Sequence, residues 1–224
     1  MQSSQRTIEQ DRRPLKTRGS STVRRLAAGL AAGGVTPNAI SMVSVGFAAL
    51  TAASLVSLRA AGADALLAAL LLAAAVTIQV RLLCNLLDGL VAIEGGRRSA
   101  TGAIFNELPD RVSDALALVA AGYAVTWVAW APELAWAAAL AAVLTAYVRA
   151  LGASLTLAQD FSGPLAKPHR MALLTAACVG SLGELAVGFE GRVLTVALGL
   201  ILAGSLVTCG VRLRHVAAAL RERT

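Results

Sequence analysis

The chain has 224 residues, 57% of them hydrophobic and only 15% charged, with 20 Lys and Arg against 13 Asp and Glu for a net charge of +7. A soluble domain runs near 45–50% apolar and about 25% charged, so this composition excludes a disordered chain and speaks against a water-soluble globule. With 4% aromatics and long runs of Ala, Leu and Val, the apolar excess sits in helix formers, which predicts an all-α polytopic membrane protein.

In chain order, residues 1–33 form a basic, polar segment with no cleavable signal peptide in view. Within it Val23, Leu26 and Leu30 share a helical face flanked by Arg24 and Arg25. That pattern fits an N-terminal interfacial helix on anionic headgroups as well as a basic tail that sets topology. Residues 34–212 form a six-helix membrane domain, because a spanning helix needs about 20 mostly apolar residues. The six stretches are Ala39–Leu58, Ala65–Leu87, Val112–Trp130, Leu134–Leu157, Met171–Phe189 and Val193–Val211. Residues 213–224 make a basic tail. No second domain and no repeat at a fixed period are visible. Cys84, Cys178 and Cys209 lie far apart in apolar stretches and read as small buried hydrophobes.

Orientation follows from the basic residues. The N-terminal segment, the two long polar breaks (88–111 and 158–170) and the C-terminal tail hold sixteen Lys and Arg, from Arg6 to Arg223. Only Arg59 and Arg192 fall on the opposite side, and Arg81 and Arg149 lie inside spans. The expected topology is therefore six crossings of the cell (inner) membrane with both termini cytoplasmic.

The end of the second span places Arg81, Asn85, Asp88 and Ala92 on one helix face, at i, i+4, i+7 and i+11. After the break, Asn106, Asp110 and Asp114 repeat at i, i+4 and i+8, with Glu107 bordering the stripe. Two antiparallel helices therefore aim oxygen atoms at a shared point near the membrane surface. Polar and ionisable groups bordering a span are costly and default to a functional reading.

These residues resemble the CDP-alcohol phosphotransferases, whose pattern is Asp-x2-Asp-Gly-x2-Ala-Arg-x8-Gly-x3-Asp-x3-Asp. The chain has Asn85-x2-Asp88-Gly89-x2-Ala92-Ile93-x8-Gly102-x3-Asn106-x3-Asp110, keeping every spacing and five of the eight residue types. Thr36-Pro37-Asn38 opens the first span as in that family. Tyr147-x-Arg149 and Gly163-x3-Lys167-x2-Arg170 are similar to elements of phosphatidylinositol phosphate synthases. The resemblance implies an enzyme of phospholipid biosynthesis that transfers a phosphatidyl group from CDP-diacylglycerol to a polar alcohol and releases CMP, with its active site on the cytoplasmic side.

By the same resemblance, Asn85, Asp88, Asn106 and Asp110 are the metal ligands, for Mg2+ or Mn2+, and Asp110 is the catalytic base. Two of the usual four aspartates are asparagines, whose amide oxygens still suit a hard cation. The site then holds one ion or two, with Glu107, Asp114 or Glu94 as candidates to make up the lost charge. Ile93 stands where the family has Arg, so a phosphate contact there falls to Arg97 or Arg98. An alternative register, with Asp110 and Asp114 as the pair, lies one turn deeper and breaks the spacing.

Gly89, Ala92 and Gly102 are the expected substrate-approach positions, where small side chains let cytidine and its phosphates near the backbone; ordinary small-residue packing in a bilayer is the plainer alternative. Arg149, Lys167 and Arg170, with no acidic residue between Gly163 and Arg170, form the expected acceptor pocket and favour an alcohol carrying its own phosphate. The expected partners are the lipid bilayer, CDP-diacylglycerol and the acceptor, with no nucleic acid; a homodimer is implied by the resemblance alone. A family member that binds without turnover is the main alternative, and a transporter is disfavoured because the polar groups gather at one face. His169 reads as a solvated loop residue, and Glu184, deep in the fifth stretch, has no role the sequence supplies.

Overall fold

The computed structural model describes residues 20–94, 101–155 and 157–223, without the side chains of Ile93, Glu94, Ala103 and Asn106. Arg6, Arg12, Arg13, Lys16, Arg18, Arg97 and Arg98 lie outside the described residues, as do the side chains of Asn106 and Glu94. Every regular element among the described residues is helical: α1 (Ser21–Ala32), α2 (Pro37–Ser57), α3 (Asp64–Glu94), α4 (Gly102–Ala124), α5 (Ala131–Ser154), α6 (Lys167–Gly180) and α7 (Arg192–Arg221), with 3-10 turns at Leu58–Ala60 and Ser181–Val187.

Thr36 starts α2 as the rules of capping require: its hydroxyl accepts from the Ala39 amide, and Pro37 at the first turn gives up an amide that would have no partner. Five segments are long and apolar enough to cross a membrane: Pro37–Ala60, Asp64–Ala92, Ala131–Ser154, Lys167–Val187 and Arg192–Arg221. Large apolar side chains such as Leu140, Val76 and Leu200 are exposed while Arg81, Asp88, Asp114 and Arg170 are buried. That inversion defines a polytopic helical membrane protein.

The third expected stretch, Val112–Trp130, differs from what forms. Helix α4 begins at Gly102 and ends at Ala124. Its first half carries Glu107, Asp110, Arg111 and Asp114, and these charges find partners inside the bundle, so the helix starts ten residues before the apolar run. The fifth stretch is α-helical only to Gly180 and tightens into the 3-10 turns through Val187.

The six long helices close into a ring in which neighbours touch in the order α3, α2, α4, α5, α7, α6 and back to α3. Small residues permit the close approach that a bilayer favours. A Cβ on Gly122 would lie 2.3 Å from the Ala135 Cβ and 2.7 Å from the Ala131 carbonyl, so α4 and α5 pack only because this position is glycine. The core is correspondingly rich in alanine and leucine, and all three cysteines are free and buried, Cys178 within this core. Helix α1 lays Val23, Ala27 and Leu30 against Cys84, Leu87, Leu90 and Val91 of α3, leaving Leu26 exposed.

Candidate active site

The polar end of the ring gathers where α3 stops, α4 starts and α6 begins. Asn85 on α3 donates its side-chain amide to Asp110 Oδ1 on α4 at 2.7 Å. One turn on, Asp88 is 5% exposed; its Oδ2 accepts the Ser41 hydroxyl of α2 at 2.7 Å, and its buried Oδ1 has no partner. An ionised oxygen left without a hydrogen bond in a buried place carries a large desolvation cost. Such an atom calls for a cation. The donor set, carboxylate and amide oxygens only, suits a hard divalent ion such as Mg2+ or Mn2+. Among the described residues no three His, Cys, Asp or Glu side chains cluster to hold a metal by themselves, so amide and ligand oxygens would complete the shell.

Each charged residue on the inner face of α4 meets a cation from elsewhere in the ring. Glu107 pairs with Arg149 of α5 at 2.6 Å and with Arg111 on its own helix. Asp110 pairs with Lys167 of α6 and, at 3.5 Å, with Arg81 of α3. Asp114, 2% exposed, accepts from Arg81 of α3 at 2.6 Å and from Arg170 of α6 at 3.4 Å. The spacing 107, 110 and 114 is i, i+3 and i+7, one helical face, which is why three separate elements can each reach one carboxylate.

The basic cluster is thus neutralised, contrary to the expectation drawn from the lack of acids near Lys167. The counterions come from α4, more than forty residues away in sequence. The cavity that Arg149 lines has neither Lys167 nor Arg170 in its wall. Arg170 is 2% exposed, donating also to the Thr145 hydroxyl and the Leu165 carbonyl. Arg149 donates to Gln159 at 2.7 Å with its guanidinium 5.3 Å from the Phe161 ring centre. A cavity of about 380 Å³ opens beside it, walled by Ala146, Ala150 and Ala153 of α5 and by Glu107 and Arg111 of α4.

The glycines resolve differently. A Cβ on Gly89 would meet nothing within 4 Å, so helix packing within the chain does not require glycine there, and the space beside Asp88 is open. Gly163 has φ +111° and would drive a Cβ to 2.5 Å from Thr208 on α7, so both its backbone and its neighbour demand glycine. The loop it shapes is tied to α7 by the Leu165 amide on Thr208 and by Arg212 on the Ser162 carbonyl. Ala92 is partly buried at the end of α3, and Gly102 opens α4. His169 is exposed, on the first turn of α6 rather than in a loop.

One residue of consequence carries no signal in the sequence: Ser41, whose hydroxyl holds Asp88, sits one turn after the Thr-Pro start of α2. Arg81 lies on the face that the sequence assigns it, but its pairing with Asp114 depends on ring closure.

The fold and this polar end define a polytopic helical membrane protein with an oxygen-lined cluster of paired charges at one end of the ring. Three solved structures of the Mycobacterium tuberculosis phosphatidylinositol phosphate synthase are similar to it. The form with CDP-DAG bound matches with a TM-score of 0.66 at 21% identity, covering 88% of this chain and 94% of that one. The form with manganese and citrate gives 0.65 at 21%, covering 87% and 88%, and the apo form 0.65 at 20%, covering 85% and 93%. The structural neighbours are therefore of the kind the motif spacing resembles, and the chain has their fold. No protein-family model matches the chain, and no curated protein matches it.

Proposed function

We propose that the chain is an integral membrane transferase that moves the phosphatidyl group of CDP-diacylglycerol to a hydroxyl acceptor and releases CMP. The observation that carries this reading is Asp88: a buried carboxylate with one unsatisfied oxygen, on the face shared with Asn85 and beside the open space at Gly89. The fold likeness to a synthase solved with CDP-DAG and with manganese supports the same substrate and a divalent cation.

In this reading all six long helices of the ring cross the membrane, α4 included, with the polar end cytoplasmic. A divalent cation at Asp88 and Asn85, with Asn106 within one turn of Asp110 on the facing helix, would neutralise the diphosphate and stabilise CMP as it leaves. Gly89 and Ala92 leave room for the nucleotide, and Gly102 starts the helix that faces it. Asp110 takes the proton of the attacking hydroxyl. Each carboxylate oxygen accepts two hydrogen bonds, so Asp110 keeps lone pairs for that hydroxyl beside Asn85 and Lys167. Asp114 is the poorer base because its side chain is 3% exposed against 16% for Asp110 and both its oxygens are held by arginines. Ser41 and Lys167 hold Asp88 and Asp110 in place.

The acceptor enters by the cavity beside Arg149. Its two arginines and one glutamate leave a net positive charge, which suits an alcohol bearing a phosphate, such as glycerol 3-phosphate or an inositol phosphate. Arg170 works from behind, fixing Asp114 and the loop that leads into Lys167. A binder without turnover would have no use for a carboxylate held ready at Asp110.

The test is purified full-length protein in lipid with labelled CDP-diacylglycerol and a panel of phosphorylated and neutral alcohols. Chelator-sensitive CMP release, greatest with a phosphorylated acceptor and lost in Asp110→Asn, is expected. No release with any acceptor would refute the transferase reading, and normal turnover in Asp110→Asn would move the base to Asp114.

A further inference from the structure

The carboxylates that remain free limit how many cations a buried site can hold. Among the described side chains of α3 and α4, four stand at the polar end, Asp88 on α3 and Glu107, Asp110 and Asp114 on α4, with the Glu94 side chain outside the described residues. Two are already occupied. Asp114 has one oxygen on Arg81 and the other on Arg170, and it is 2% exposed. Glu107 has both oxygens on Arg149 and one also on Arg111. Neither can replace the charge that Asn85 and Asn106 lack.

Asp110 is also engaged. Its Oδ1 takes the Asn85 amide and lies 3.5 Å from the Arg81 guanidinium, and its Oδ2 takes the Lys167 ammonium, so positive charge already sits on this carboxylate. Among the described carboxylates only Asp88 has a buried oxygen with no partner. With the Asn85 nitrogen turned to Asp110, the Asn85 carbonyl oxygen is the atom left for a hard ion.

The charges agree with that count. Asp88, Asp110, Asp114 and Glu107 face Arg81, Lys167, Arg170, Arg149 and Arg111, four negative charges against five positive, so the site has no negative charge to spare before any metal enters. The diphosphate of a CDP-lipid carries two negative charges, which one dication balances. A second dication would leave two positive charges uncompensated at the edge of a bilayer, where each is expensive.

We propose that the site holds one divalent cation, on Asp88 and the Asn85 carbonyl, and that the Lys167 ammonium on Asp110 takes the place of a second. The charge balance rests on the transferase reading; the free Asp88 oxygen and the Lys167 pair do not.

The experiment loads full-length protein in lipid nanodiscs with Mn2+ and CDP-diacylglycerol, removes free ion by desalting, and counts bound Mn2+ by elemental analysis and electron spin resonance. One Mn2+ per chain with an uncoupled spectrum is expected, weakened about tenfold or more in Asp88→Asn. The combined variant Asn85→Asp, Asn106→Asp, Lys167→Gln should take up a second ion, spin-coupled to the first at about 4 Å. Two ions, or none, on the wild-type chain would overturn the proposal whether or not the variant folds. A folded variant that still binds one ion would remove Lys167 from it. CMP release with two bound ions would sink the cation count and leave the transferase reading standing; one bound ion without CMP release would do the reverse.

Discussion

Two buried carboxylates sit at opposite ends of the ring and are treated in opposite ways. Glu184, 8% exposed at the far end, accepts from the amides of Gly191 and Arg192 at 3.0 Å and of Val193 at 2.7 Å. It thereby supplies the start of α7 with the acceptor that helix N-termini lack. Every oxygen is used, and the carboxylate is structural. Asp88 is buried as deeply but keeps an oxygen with no partner beside open space. The contrast separates a carboxylate that completes the fold from one the fold leaves ready for a ligand.

The largest expected effect breaks that contrast directly. Asp88→Asn should abolish CMP release, by about 100-fold or more, with little change in thermal unfolding. Glu184→Ala should lower the melting temperature markedly, since charged acceptors contribute about 1.5–3 kcal/mol per hydrogen bond, while folded molecules keep normal turnover. Unfolding curves and per-molecule rates on both variants check this, and equal effects on rate and stability in both would erase the distinction.

Next come the paired carboxylates. Arg81→Ala leaves Asp114 with only the longer contact to Arg170, and breaking such a buried pair costs about 3–5 kcal/mol. Denaturant or thermal unfolding of Arg81→Ala, with Arg81→Met as the shape-conserving control, measures it; unchanged stability in both would mean the pair is dispensable. Arg149→Ala should act on the acceptor instead, raising its KM about tenfold, the worth of one charge-assisted contact. Its effect on CDP-diacylglycerol should be much smaller. If KM for the two substrates moved together, the cavity beside Arg149 would not be the acceptor's.

Much of this was readable in the chain. The alternation of long apolar runs with polar breaks located the helices, and the 3.6-residue period put Asn85, Asp88, Asp110 and Asp114 on facing stripes. What periodicity does not carry is which distant element supplies a counterion. Lys167 and Arg170 read as free cations because their partners, Asp110 and Asp114, lie on a helix that ring closure brings alongside. Glu184 was opaque for the same reason: its partners are backbone amides seven to nine residues on, reachable only after the 3-10 turns fold back. The start of α4 was missed because apolar content marks lipid contact, whereas its polar first half is helical through ion pairs.

The smallest expected effect lies outside the membrane segments. Burial raises the Asp160 carboxyl, but the Ser162 hydroxyl and amide and the nearby His215 outweigh it and hold it below the usual 3.8. A lowered carboxylate stabilises the fold above its ordinary value and loses that contribution as pH falls through the folded one. The melting-temperature gap between wild type and Asp160→Asn should therefore be open at pH 6 and close below about pH 4. A gap independent of pH would contradict the pairing.

The central claim is that the polar end of the ring transfers a phosphatidyl group. Its most direct measurement is CMP released from labelled CDP-diacylglycerol by wild-type protein, with Mn2+ and with chelator, beside Asp88→Asn and Glu184→Ala. Release that needs the metal, vanishes in Asp88→Asn and persists in folded Glu184→Ala is the predicted result. Release that survives Asp88→Asn, or none from the wild type with any acceptor, would contradict it.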